Sequence, residues 1–60
     1  MKEYCIYTDV NNEYTTKVWV KCNSVKIIDT HTVEANGIRM RFSGVVESID
    51  VDGKEFWSKR

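Results

Sequence analysis

Sixty residues make one domain, spanning 1–60, and leave no room for a second. Nine Lys and Arg cancel nine Asp and Glu, a balance that counts against a phosphate-backbone binder, which ordinarily carries a basic excess. One His and two Cys fall short of the four ligands of a structural zinc site, so neither a metal nor a cofactor is expected.

A chain of this length buries only about 60% of its unfolded surface, and domains so small often gain stability by docking or oligomerising. The first residues, M-K-E-Y-C-I-Y, lack the apolar run of a signal peptide, and no stretch approaches a membrane span. The expectation is a cytoplasmic protein with no membrane contact, whose Cys5 and Cys22 stay reduced rather than forming a disulfide.

Helical periodicity is absent, and Val, Ile, Thr and aromatic residues alternate with polar ones between turn signals. The first strand is expected over Glu3 to Val10 and the second over Tyr14 to Cys22. A three-residue loop, Asn11 to Glu13, sets Val10 opposite Tyr14, Ile6 opposite Val18 and Tyr4 opposite Val20. A two-residue loop would turn Ile6 to the wrong face, because a slip of one residue inverts every side chain. Asn23-Ser24 is read as the next turn, pairing Cys22 with Val25 and Val20 with Ile27.

The run V-K-I-I-D-T-H-T-V-E-A-N-G-I-R-M-R-F follows. Both residues of Asn-Gly tolerate positive φ, so Asn36-Gly37 predicts a type I′ hairpin. That turn sets Ala35 opposite Ile38, Glu34 opposite Arg39, Val33 opposite Met40, Thr32 opposite Arg41 and His31 opposite Phe42. The alternation stumbles at Ser43-Gly44, where a bulge or sharp bend is expected. Asp52-Gly53 is a second type I′ candidate, pairing Val51 with Lys54 and Ile49 with Phe56 and leaving Trp57 beside Ser48 on the opposite face.

The fold class expected is all-β: a small, highly curved antiparallel meander of five to six strands with SH3-like or reduced OB-like barrel dimensions. The segment F-S-G-V-V-E-S-I-D-V-D-G-K-E-F resembles the strand pairs of SH3-like barrels. No family motif accompanies that resemblance.

Carrying the registers across the sheet predicts an apolar row on the face away from the core. Cys5 lies opposite Trp19, Trp19 opposite Ile28, and Ile28 near Val45 or Val46. Contiguous exposed apolar patches mark contact sites. A partner-binding surface of Trp19, Ile28, Cys5, Tyr7 and Trp57 follows, for a protein partner or a second copy of the chain. A competing expectation is that the last hairpin folds over this row and covers it with Trp57 and Val46. Small Lys-, Asn- and Thr-rich domains of this kind are often accessory proteins of phages or mobile elements that act on a host protein.

Nucleic acid is the alternative partner. Trp19, Tyr7 and Trp57 would stack bases while Lys17, Lys21, Lys26, Arg39 and Arg41 track phosphates. Asp29 and His31, two residues apart, share a face that parity places beside Thr8, Thr16 and Phe42, which invites a site in which Asp29 orients His31 and Thr16 or Ser43 attacks. They read better as a polar pair at the end of the core than as parts of a nucleophilic site, because no oxyanion donors or cleft accompany them. No catalytic residue is assigned, and the chain is not expected to be an enzyme.

Overall fold

Asn36 and Gly37 adopt φ of 50° and 83°, and Asp52 and Gly53 adopt 50° and 84°, the left-handed backbone that a type I′ turn requires. The computed structural model describes residues 1–10 and 14–59. Around those turns run β1 (Lys2–Val10), β2 (Tyr14–Cys22), β3 (Val25–Asp29), β4 (Thr32–Ala35), β5 (Ile38–Arg41), β6 (Val45–Val51) and β7 (Lys54–Ser58). The chain is all-β, as its alternation implies, and every pairing is antiparallel.

The strands form two sheets, one ordered β2-β1-β6-β7 and the other β3-β4-β5. Tyr4, Ile6, Cys22, Val46 and Ile49 of the first sheet share one core with Val25, Val33 and Ala35 of the second. Val18, Val20, Ile27, Met40, Phe42, Val51 and Trp57 pack around its margin. Among the described residues no closed barrel is found, and no helix is long and apolar enough to cross a membrane.

Two expected registers hold. β1 and β2 pair Val10 with Tyr14, Ile6 with Val18, Cys5 with Trp19 and Tyr4 with Val20; the connecting loop, Asn11 to Glu13, lies outside the described residues. β4 and β5 pair Ala35 with Ile38, Glu34 with Arg39, Val33 with Met40 and Thr32 with Arg41. Beyond the last pair, Phe42 N–H donates to the His31 carbonyl at 2.7 Å.

Four expectations are corrected. Seven strands form where five to six were expected, and β1 lies beside β6, so the order is not that of a simple meander. Asn23-Ser24 does not make a hairpin: Cys22 and Val25 both reach the core, but from opposite sheets, so the link is a corner between layers. The run from Val25 to Ala35 is two strands rather than one. Asp29 Oδ1 accepts the His31 N–H at 2.8 Å and turns the chain at Thr30-His31, so that β3 folds back on β4 with an irregularity between Ile27 and Asp29. Last, β6 and β7 keep the expected Val51–Lys54 pair but bulge at Ile49/Asp50, so Ile49 faces Trp57 instead of Phe56.

The layers are pinned at both ends. Asn36 Oδ1 accepts the Asn23 N–H at 3.1 Å, and Asn36 N–H donates to the Ser24 carbonyl at 3.3 Å. At the far end Val46 N–H donates to the Thr30 carbonyl at 2.8 Å. His31 Nδ1 lies 2.8 Å from the Gly44 carbonyl; a carbonyl only accepts, so this nitrogen carries the proton. Lys59 Nζ reaches the Glu47 carboxylate at 2.6 Å beside a main-chain bond between the same residues.

Candidate functional site

Strand alternation divides β1 cleanly. Tyr4, Ile6 and Thr8 are buried under the second sheet, which leaves Glu3, Cys5 and Tyr7 on the outer face. Pairing then assembles the neighbours of that outer row. Cys5 lies between Trp19 on β2 and Asp50 on β6, Tyr7 lies between Lys17 and Ser48, and Glu3 is opposite Lys21. Trp19 is 62% exposed midway along β2, the edge strand of the sheet, whereas Cys5 beside it on β1 is buried.

A groove of about 280 Å³ runs beside the indole, lined by Glu3, Cys5, Tyr7, Trp19, Asp50, Asp52 and Gly53. The Tyr7 hydroxyl donates to Asp50 Oδ2 at 3.2 Å. Bonding to the Cys5 side chain, loss of water and the Asp50 carboxylate together push the Tyr7 hydroxyl up to about 12, so it stays a donor at any physiological pH. Lys17 Nζ stands 5.8 Å from the centre of the Tyr7 ring, within reach of its π-face. Asp52 Oδ1 accepts the Glu3 N–H at 3.0 Å, and Asp52 N–H donates to the Glu3 carbonyl at 2.8 Å, which ties the second turn to the start of β1.

The structure brings together Trp19, Cys5 and Tyr7 of the expected surface, and separates the other two members. Ile28 is half-buried in β3, in the other sheet, so the row from Trp19 continues through Cys5 into Asp50 instead. Trp57 is half-buried against the core, because the bulge turns it inward opposite Ile49. Val46 is buried in the same core, so neither residue covers the Trp19 face.

The basic residues are likewise divided. Lys17 and Lys21 flank Trp19 on β2, while Lys26, Arg39 and Arg41 sit on the three-stranded sheet. There Arg39 Nε approaches Glu34 Oε1 at 3.6 Å. Hydrogen bonds from the His31 main chain and the Thr32 side chain, with Arg41 nearby, hold the Asp29 carboxyl below its ordinary range. Asp29 therefore grips the backbone of His31, while the ring of His31 engages Gly44.

Sequence reasoning missed Glu3, Asp50 and Asp52 as members of the site. Alternation does put Asp50 on the face of β6 away from Ile49, and Asp52 follows in the turn. Only the pairing of β6 with β1, between strands far apart in the chain, shows that this face is the one carrying Trp19. Cys5 and Cys22 are both free and buried, one under the outer row and the other in the core. Among the described residues no group of three or more His, Cys, Asp or Glu is placed to hold a metal ion.

Among the described residues, grooves also open along the seams between the sheets. One of about 380 Å³ is lined by residues that include Ile27, Asp29, Val45, Trp57 and Lys59. Another, of about 210 Å³, lies where Val20 and Cys22 meet Ile38 and Met40. No protein-family model matches the chain, and no curated protein and no solved structure matches it either.

Proposed function

We propose that this protein is a non-enzymatic interaction module that binds a protein partner through a patch centred on Trp19, on the β2–β1 side of the outer face of its four-stranded sheet. The observation that carries the reading is an indole 62% exposed on an ordered strand, beside a groove, in a chain too small to spend apolar area idly. Trp and Tyr at the middle of a patch with a polar margin have the anatomy of an interface hot spot. Lys17, Lys21 and Glu3 supply that margin here. A docked protein would also supply the burial that a chain of this length lacks.

Single-stranded nucleic acid, the alternative, draws support from Lys17 and Lys21 beside Trp19. The carboxylates of Glu3, Asp50 and Asp52 in the same groove work against it.

The test uses a Trp57→Phe background, in which Trp19 is the sole fluorophore of its type. A dilute monomer should emit as a water-exposed indole. Protein captured from the native cell by this chain should be lost with Trp19→Ser while the circular dichroism spectrum is kept. Sedimentation at two concentrations shows whether the captured partner is a second copy. Equal capture by both variants overturns the reading, and so does binding to single-stranded DNA that falls steeply with salt and depends on Lys21.

A further inference from the structure

The groove beside Trp19 has a composition that ordinary partner contact does not require. Three carboxylates, one indole and one phenol line it, with no Lys or Arg among the lining residues. Two of the carboxylates are held in place by bonds that use one oxygen each. Asp50 Oδ2 accepts from Tyr7, and Asp52 Oδ1 accepts from Glu3 N–H. The second oxygen of each has no hydrogen-bond partner among the described residues. The site therefore presents fixed, partly engaged acceptors next to π-faces.

We infer that this groove receives the guanidinium of an arginine side chain carried by the protein partner. The inference rests on the reading of this face as a protein contact and names what it recognises. A planar guanidinium stacks on an aromatic face and donates two parallel N–H bonds to carboxylate oxygens at once. Trp19 and Tyr7 supply the first element, Asp50 and Asp52 the second. The chain's own Lys17 ammonium already stands over one face of Tyr7, 5.8 Å from its centroid, so the incoming guanidinium stacks on Trp19 and meets Tyr7 only at its free side.

Other cations fit less well. A trimethylated ammonium has no N–H, so it would leave the carboxylate acceptors desolvated and unpaired, and it calls for a fuller aromatic enclosure than two rings provide. A lysine ammonium is strongly hydrated, and although its three N–H groups can reach two acceptors it has no planar face to stack on an aromatic ring. At about 280 Å³ the groove is smaller than most small-molecule sites, which run from roughly 300 to 1,000 Å³, and suits a single side chain.

The experiment titrates the isotope-labelled full chain with four capped pentapeptides, glycines flanking a central arginine, lysine, trimethyl-lysine or norleucine, and follows amide shifts. The arginine peptide should shift the amides of Cys5, Tyr7, Trp19 and Asp50 saturably, with a Kd of about 1–10 mM, the range open to a side chain of this size. Asp50→Asn should weaken it about fivefold, and raised salt should weaken it further. Core amides such as those of Ile6 and Val33 report whether that variant stays folded.

Lysine or trimethyl-lysine binding as tightly as arginine, or no shift with any peptide, overturns the assignment. If no peptide binds while Trp19→Ser still abolishes capture, the arginine assignment fails and the protein-binding reading stands. If Trp19→Ser leaves capture intact, the wider reading fails whatever the peptides do.

Discussion

The two type I′ hairpins start alike and end differently. Their turn φ angles agree within a degree, and each first turn residue uses its side-chain oxygen and its own N–H to grip a neighbouring segment. Asn36 grips the corner between the sheets, and Asp52 grips the start of β1. Beyond the turn, β4–β5 keeps its register through four pairs, while β6–β7 slips after two.

The difference lies in what the regular register would bury. In the first hairpin it already puts Val33 and Met40 towards the core. In the second it would turn Trp57 into water and set Phe56 opposite Ile49; the bulge brings the larger indole inward. Phe56 still covers the edge of Tyr4, ring to ring at 5.6 Å and 82°. Turn chemistry decides the first pairs of a hairpin, and burial decides the rest.

The largest effect that would sharpen this contrast comes from the residue against which the bulge forms. Ile49 is fully buried, so Ile49→Ala should cost about 2–5 kcal/mol in urea unfolding and move Trp57 emission towards that of exposed indole. Retained Trp57 burial in that variant would mean that the bulge forms for a reason other than packing on Ile49.

Next come the two turn glycines. Gly37→Ala and Gly53→Ala should each cost about 1–2 kcal/mol, the penalty of a side chain at positive φ. An added Cβ meets nothing within 4 Å at either place, so the two losses should match. A clear inequality would break the equivalence of the tips.

Trp19→Ser, on the outer face, should change stability by less than about 0.5 kcal/mol despite removing a larger side chain than Ile49. The remaining effects emerge only at extremes of pH. The Tyr7 proton is held more tightly in the folded chain, so its contribution is complete below its ordinary value of 10.0 and lost as pH rises towards about 12. Tyr7→Phe should remove that alkaline limb. Asp29 behaves oppositely: its contribution is complete above its ordinary 3.8 and fades as pH falls below that. Asp29→Asn should flatten the acid limb of the stability profile.

What was legible in the sequence follows the same division between local and distant causes. Asn36-Gly37 and the alternation around it specify β4–β5 completely, and the apolar phase of Ile6 and Val18 specifies β1–β2. Trp19 emerges on the outer face for the same reason. Asn23-Ser24 misleads because a hairpin and an inter-sheet corner both send Cys22 and Val25 towards apolar surroundings. The break at Thr30-His31 did have a signal, an Asp whose carboxylate can take the N–H two residues on. Nothing local announces that β6 lies beside β1, and so nothing local announces the carboxylates of the groove.

The order β2-β1-β6-β7 also constrains how the chain reaches its native state. The β1–β2, β4–β5 and β6–β7 ribbons each join neighbours in sequence, but Tyr4 must find Val51 across most of the chain. Closing so long a loop is entropically costly and is repaid only when Ile6 and Ile49 meet, so docking of the two outer ribbons should limit the folding rate. The groove beside Trp19 straddles that junction, which means it exists only once the slowest step is over.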